Sequence, residues 1–581
     1  MSGHQSNLSL PQYGYDLVVS ITQGSLNATM KQFLDKFDGQ KFISCYVSQE
    51  QSDGTYKDVP GNYDKLSKIA GIDLFSIPTS NQTDAQKDAA DQAYDNLFSF
   101  AFKATMGLPA DFSLESIPNV IILDKGLVRV TYNLFFKDFQ ILNAQPQRRG
   151  YSWINISQAD EPAPWVFQFI VNLDLNSSDS AFMHLPESIQ TKVKNLHPNS
   201  MFSVQQLYLD LNTARLESVP KIVGLEPISR AYRYLTTVFI NSYFKYWQEQ
   251  NQHPSNPDGN ILLGYSIKPT QPSTSSASII PTDLTFMVSP FRNNKGIPTE
   301  DYDMYTLNYL VMSQNHHMPA AVEFGWNWVD KSEKSDYAGT VTIKKGSFVD
   351  FLNQQLSQSL NLICWRPQVQ VYMDIIHYGF TYQLEKETTP QAYNVLNDGT
   401  STVLTFNYTS RDYKAAQYFV NWANFTVTNT ISSNVSLKDN CIDIVTTVTV
   451  AANVNLDGGT TSGNFYKSKV KQQYEIGVDA LGSLFVFVKE ENSTDESDNI
   501  HASFWSELMS AGTINTVIEN MQNYWGDIEK NLLKQYQTEI LNFLSGSHVW
   551  IFPGGQTFLF KDVYFSDRQD LVAHLTYVDP E

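Results

Sequence analysis

The 581-residue chain contains only three cysteines, Cys45, Cys364 and Cys441, widely separated and odd in number. That excludes a disulfide framework, and without a Cys-x-x-Cys pair there is no scaffold for a thiolate zinc site. Basic residues are also scarce: 40 Lys and Arg stand against 60 Asp and Glu, a net charge of −20, and no basic run exceeds two residues. Proteins that grip nucleic acid or anionic membranes do so through clustered Lys and Arg, so no nucleic-acid partner is expected. No apolar stretch approaches the ~18 residues that span a bilayer, which argues against integral membrane association. The amino terminus, Met1-Ser2-Gly3-His4-Gln5, lacks the charged-then-apolar layout of a secretory signal, so a cytoplasmic location is expected.

Catalytic signatures are missing as well. There is no GxSxG elbow, no GxxxxGK[ST] loop, no GxGxxG and no HExxH. The one histidine pair, His316-His317, would point to opposite faces of an extended chain, poor geometry for shared metal ligation. Glu300-Asp301-Tyr302-Asp303 lacks the spaced ligands and loop glycine of a calcium site and reads as an acidic surface turn. His377 and His574 sit in apolar, strand-like runs. Either could act as a general base beside a distant carboxylate, but a hydrogen-bonded structural histidine is the expected role. No cofactor and no metal are expected, catalytic residues are not identifiable, and enzymatic activity is left open.

What is present is apolar and repetitive. Hydrophobic residues make up 42% of the chain and aromatics 13%, which suits a folded protein rich in pleated strands. The length exceeds what one core supports, so two large domains or three to four smaller ones are expected. Val19-Ser20-Ile21-Thr22-Gln23-Gly24-Ser25-Leu26, continuing through Gln32 and Leu34, recurs as Val341-Thr342-Ile343-Lys344-Lys345-Gly346-Ser347-Phe348, continuing through Gln354 and Leu356. The offset is 322 residues, with six identities in sixteen. A strand, a Gly-Ser turn and an amphipathic helix thus occur twice, the mark of an internal repeat.

Period-two alternation predicts strands at Trp165 to Leu175 and Val322 to Trp328, with others at Val120 to Phe136, Phe202 to Leu211, Val369 to Ile376, Val403 to Tyr408, Ile442 to Val450 and Tyr466 to Val478. Helical spacing predicts a helix behind each of Ser25 and Ser347, taken as N-caps. One more is predicted from Thr83 to about Met106, opened by a Thr83–Gln86 capping box. Long helices are expected from about Ser229 to Gln250 and from about Thr513 to Leu544, each preceding further strands. Pro269 to Ser276 and Glu490 to Glu496 read as solvated loops, and Ser289 to Met318 as a domain junction. Asp283-Leu284 and Asp570-Leu571 are a faint further match between the halves.

The opening Tyr13-Gly14-Tyr15-Asp16-Leu17-Val18-Val19-Ser20-Ile21 leads through Gly24-Ser25-Leu26-Asn27 into a helix. The chain closes on Gly555-Gln556-Thr557-Phe558-Leu559-Phe560-Lys561-Asp562-Val563-Tyr564-Phe565 and Asp570-Leu571-Val572-Ala573-His574-Leu575-Thr576-Tyr577. With the duplicated plan between them, these ends resemble the tubular lipid-binding (TULIP) superfamily, in particular its P47/OrfX-like branch. The resemblance implies an α+β fold of two pseudo-repeated elongated modules, residues 1–318 and 319–581. Each would be a long twisted antiparallel sheet wrapped around a long amphipathic helix.

A long helix on a curved sheet leaves an elongated apolar seam, so the leading expectation is binding or carriage of a lipid or other elongated hydrophobic small molecule. The candidate contact residues are the helix-face positions Leu26, Met30, Phe33, Phe239, Tyr243, Phe348, Phe351 and Leu352. Two alternatives stay open. One is a toxin-accessory or partner-binding protein, implied by the branch the chain resembles. The other is a motif-less enzyme acting on a hydrophobic secondary metabolite through orientation in an apolar cavity.

Overall fold

The computed structural model describes residues 3–36, 39–109, 112–178, 202–252, 259, 261–269, 281–373, 378–397, 399–456, 459–479, 482, 484–495 and 558–577. The chain opens with β1 (Leu17–Thr22), α1 (Gln23–Lys36), β2 (Lys41–Glu50), β3 (Tyr56–Gly61), α2 (Tyr63–Ala70) and α3 (Asp84–Asp95). There follow β4 (Phe98–Met106), β5 (Ile121–Ile122), β6 (Arg129–Leu134), β7 (Phe136–Pro146), β8 (Tyr151–Ser157), β9 (Phe167–Ser178) and β10 (Phe202–Ser218). A long helix, α4, runs as Arg230–Tyr234, a π-helical turn Leu235–Phe239, and Ile240–Asn251. Next come β11 (Ile261–Pro269), β12 (Pro281–Ser289), β13 (Thr306–Ser313), β14 (Gly339–Ile343) and α5 (Lys345–Leu360). The remaining strands are β15 (Trp365–Met373), β16 (Tyr378–Lys386), β17 (Asn394–Val395), β18 (Thr402–Tyr418), β19 (Asn421–Lys438) and β20 (Cys441–Leu456). The chain ends with β21 (Gly459–Val478), β22 (Leu484–Asp495), β23 (Phe558–Phe565) and β24 (Leu571–Tyr577).

Antiparallel sheets dominate this α+β fold. Two five-stranded sheets, β3-β2-β4-β7-β8 and β11-β10-β9-β6-β5, belong to the first part of the chain. A six-stranded sheet, β17-β18-β19-β20-β21-β22, and the hairpin β15-β16 belong to the second. A third arrangement, β12-β13-β1-β14-β24-β23, draws strands from both. Its two central strands are the repeated ones. They are buried along their whole length, which is why both read as near-continuous runs of Val, Ile and Thr.

In that central sheet the two similar sequence segments pair with each other. Val19 faces Val341 across the β1–β14 ladder, and these residues are 322 apart, the offset of the repeat. On the outer flanks Val19 faces Tyr309 and Val341 faces Ala573, and every further pair keeps the same correspondence. Leu307, opposite Ile21, therefore matches Leu571, opposite Ile343. The likeness of Asp283-Leu284 to Asp570-Leu571 is a coincidence, because a different strand holds the equivalent place. Gly339 permits the close crossing: a Cβ there would lie 2.0 Å from the Ser20 carbonyl oxygen.

Several local expectations are corrected. The helix begun by the Thr83–Gln86 capping box ends at Asp95, not near Met106. Asn96 caps it, Leu97 turns the backbone at φ 66°, and Phe98–Met106 continues as a buried strand whose Phe and Ala residues also fit a helical period. The stretch from Val120 to Phe136 is divided among β5, β6 and the start of β7. Val322 to Trp328 forms no strand; its aromatic side chains cap the outer face of the central sheet instead. Glu490 to Asp495 belongs to β22 rather than to a loop, and the supposed junction Ser289 to Met318 contains β13, a neighbour of β1. Helix α1 starts at Gln23, with the Thr22 hydroxyl accepting from the Ser25 amide, so Thr22 rather than Ser25 caps it. Helix α5 starts at Lys345, whose amide donates to Asp570. The expected helix from Thr513 to Leu544, the strand start at Val549, residues 270–276 and His377 lie outside the described residues.

Candidate functional site

The largest apolar cluster among the described residues is shared by both halves of the chain, and smaller separate clusters lie beneath α2 and α3, on the outer face of the central sheet, and between the β15–β16 hairpin and β19 and β20. The largest runs from α4 and the first two sheets, along the inner face of the central sheet, to the inner face of the β17–β22 sheet. Leu26, Met30, Phe239, Tyr243, Phe348, Phe351 and Leu352 are all buried members of it, and Phe33 packs against it half-buried. The eight helix-face residues are thus brought to one interior, from three different helices.

At the α4 end the interior is closed by aromatic rings. Phe239 sits 5.0 Å from Phe102, 5.3 Å from Phe139 and 5.7 Å from Phe42, centroid to centroid. Tyr243 lies 5.1 Å from Phe136 in an edge-to-face contact. Burial pushes the Tyr243 hydroxyl well above its ordinary pKa. Phe239, at the end of the π-helical turn, and Tyr243 are four residues apart and so share the inward face of α4.

The inner face of the β17–β22 sheet differs. Along β19 every second residue from Ala423 to Leu437 faces inward and is buried, a row about 48 Å long at ~3.4 Å per residue. Most of the row is apolar, but Asn429 and Ser433 interrupt it, and Thr446 and Gln472 do the same on β20 and β21. These groups bond among themselves. The Ser433 and Thr446 hydroxyls are 2.7 Å apart, the Tyr393 hydroxyl is 2.9 Å from Ser433, and Tyr474 donates to Gln472 at 2.6 Å. Asn429 donates to the Trp365 carbonyl at 3.2 Å, while its own carbonyl oxygen is buried without a partner. Period two placed these polar residues on the inward face, and sequence reading missed them because Ser, Thr and Asn inside a strand look like the solvated side.

Helix α5 joins this sheet to the central one. Asp16 and Asp570 are both buried at its amino-terminal end. Asp16 accepts from the Ser313 amide at 2.9 Å, the Ser313 hydroxyl at 2.8 Å and the Ser347 hydroxyl at 2.9 Å, with His316 Nδ1 at 2.8 Å. Burial raises the Asp16 pKa, but these hydrogen bonds outweigh it and hold the carboxyl below its usual range. Asp570 accepts from the Leu8 amide, the Ser6 hydroxyl and the Lys345 amide, yet nearly complete burial leaves its pKa raised. His316 is therefore a bonding partner of a buried carboxylate. Asp301 and Asp303 of the acidic turn are engaged by Lys331 and Lys334.

His574 lies on the outer face of the central sheet, with Nδ1 2.6 Å from Asp562 and its ring stacked on Tyr337 at 4.0 Å. Tyr337 donates to the other Asp562 oxygen. The arrangement resembles the carboxylate–imidazole half of a triad, but among the described residues no hydroxyl bonds the far imidazole nitrogen, which is buried. A separate polar cleft of about 480 Å³ runs along the exposed side of α1, between Lys31, Asn119, Asp303 and Lys334. Its Lys31 ammonium already donates to the Leu114 and Ile117 carbonyls.

The chain is similar in structure to P47 from Clostridium botulinum A2. The match covers 97% of each chain at 11% identity, with a TM-score of 0.40. P47 of Clostridium botulinum E1 matches at 10% identity and TM-score 0.40, over 97% of this chain and 98% of that one. Lipopolysaccharide binding protein matches at 9% identity and TM-score 0.31, over 98% and 99%. No family model and no curated protein matches the sequence. Among the described residues no helix is long and apolar enough to cross a membrane.

Proposed function

We propose that the protein binds and carries a lipid or other elongated hydrophobic molecule inside the continuous apolar interior, between two pseudo-repeated modules that meet at β1 and β14. The observation that carries this reading is the inner face of the β17–β22 sheet: a long buried apolar row with a polar belt at its middle. Ser433, Thr446 and Gln472 offset their desolvation by bonding to neighbouring side chains, but the buried Asn429 carbonyl oxygen has no partner, a cost that an apolar core alone does not repay. A ligand with an apolar body and one polar end uses both features, the belt fixing its orientation. The β19 row is shared between two clusters: Ala423, Phe425 and Val427 pack against Val369, Phe380 and Tyr382 of the β15–β16 hairpin, so the part facing the large interior runs from Ile431 to Leu437, about 20 Å at ~3.4 Å per residue. Leu26, Met30 and Phe33 of α1 and Phe348, Phe351 and Leu352 of α5 are the proposed side walls. Phe239 and Tyr243, packed ring on ring, are the proposed closed end.

Native mass spectrometry of the purified chain, followed by organic extraction, tests the reading. A co-purifying apolar molecule is expected, released on denaturation. Absence of any such molecule, with no binding of fatty acids or phospholipids added to the stripped protein, refutes it. Ser433→Val together with Thr446→Val should weaken binding of an amphiphile about tenfold while leaving binding of a plain hydrocarbon unchanged.

A further inference from the structure

The β18–β19 hairpin ends in a feature that folding does not explain. Its strands are 17 and 18 residues long, and a two-residue turn, Phe419-Val420, joins them between Tyr418 and Asn421. Phe419 is 81% exposed and Val420 86% exposed, although both are apolar. Phe419 also has a φ of 54°, the left-handed value at which two-residue hairpin turns ordinarily use glycine or asparagine. A sequence chosen for the turn alone would place small polar residues here. An aromatic ring is instead held in a costly backbone conformation at the outermost point of the hairpin.

We propose that this tip docks the protein onto a lipid bilayer by inserting Phe419 and Val420 among the headgroups and upper acyl chains. The residues behind the apex are graded as an interface requires. Tyr418 and Trp422, partly exposed, come next, level across the ladder with the amides Asn421 and Gln417, and Lys414 stands about 17 Å back along the strand. Apolar apex, then aromatic rings beside uncharged amides, and then cation follows the order of polarity from acyl chain to water. Charge agrees. In a chain of net charge −20, no acidic residue occurs between Asp412 and Asp439, and Asp412 accepts from the Val369 amide. The nearest acid of the next hairpin, Asp457, lies outside the described residues.

A protein partner fits less well. The tip is convex and offers roughly 500 Å² of apolar side chain, below the ~800 Å² per partner of a stable interface. The docking surface stands apart from the interior binding site and holds whether or not a ligand is carried there.

The test uses the full chain with phosphatidylcholine vesicles. Co-sedimentation is expected, with little change between low and high salt because the apex is uncharged. The double variant Phe419→Gly, Val420→Asn supplies preferred turn residues, so its thermal midpoint should equal or exceed that of the parent. Its vesicle affinity should fall at least tenfold. The fluorescence difference between the parent and Trp422→Phe should shift to the blue on vesicle binding. Retained binding by the turn variant, or no shift of the Trp422 signal, overturns the proposal. So does a parent protein that ignores vesicles but forms a dimer, seen by light scattering, that the turn variant abolishes.

Discussion

Truncation of Phe239 to alanine probes the closed end of the interior directly. The side chain is fully buried, with Phe102, Phe139, Phe42 and Tyr243 at centroid distances of 5.0, 5.3, 5.7 and 6.0 Å. Losing the ring forfeits a transfer term of about 2 kcal/mol. It also leaves a cavity of roughly 100 Å³, which at ~24 cal/mol per Å³ adds about 2.4 kcal/mol. The expected loss is therefore about 4 kcal/mol, since the ring-on-ring contacts overlap with these terms and are not counted again. Equilibrium urea denaturation followed by tryptophan fluorescence measures it, with calorimetry to separate the transition of the first two sheets from others in so long a chain. The new cavity is apolar and enclosed, so benzene or xenon should restore part of the loss. A destabilisation below about 1 kcal/mol would refute the reasoning, because it would mean that the ring borders open or ligand-filled space.

Gly339→Ala should disrupt the β1–β14 pairing, because its Cβ would meet the Ser20 carbonyl at 2.0 Å. A loss of about 3 kcal/mol or more is expected by denaturation, with hydrogen exchange accelerated in both strands. The Asp16 carboxyl is held below its usual range, so it stabilises the fold above the unfolded-state pKa and loses that contribution as pH falls through the folded value. Asp16→Asn should cost about 2 kcal/mol at pH 7 and flatten the acid limb of the stability curve below about pH 4; an unchanged limb would count against it. Burial pushes the Cys45 and Cys364 thiols up to about 12, and Cys441 upward too. All three should resist a thiol-specific chromogenic reagent in the native protein and react together on denaturation, whereas a single fast-reacting thiol would contradict their burial.

Alternation made strands legible where one face is buried and the other wet, as in the first part of β18 and in β20 and β21, although β19, rich in Asn, Ser and Thr, went unread. It failed where the chain departs from that condition. Phe98–Met106 has no wet face at its start, so periodicity could not separate it from the preceding helix. Phe324, Trp326 and Trp328 alternate with smaller residues without forming a strand, since extended chain covering a sheet obeys the same period. The candidate apolar residues were readable as helix faces, but a helix face records only that something covers it. Whether the cover is a ring, a strand or a ligand depends on residues hundreds of positions away.

By itself the sequence determined the dominance of strands, the absence of a disulfide framework and the presence of an amphipathic helix behind each of β1 and β14, because each depends on composition or on neighbours within a few residues. Tertiary structure decided that the two similar segments lie side by side, with Val19 facing Val341. It also decided that Asp16 and Asp570 converge on one helix terminus, that Ser433, Thr446 and Tyr393 form a belt inside an apolar face, and that Phe419 stands outside any core. The physical reason is shared by all four. Burial and hydrogen bonding are properties of what the folded chain brings together, and local pattern specifies a surface without naming its partner.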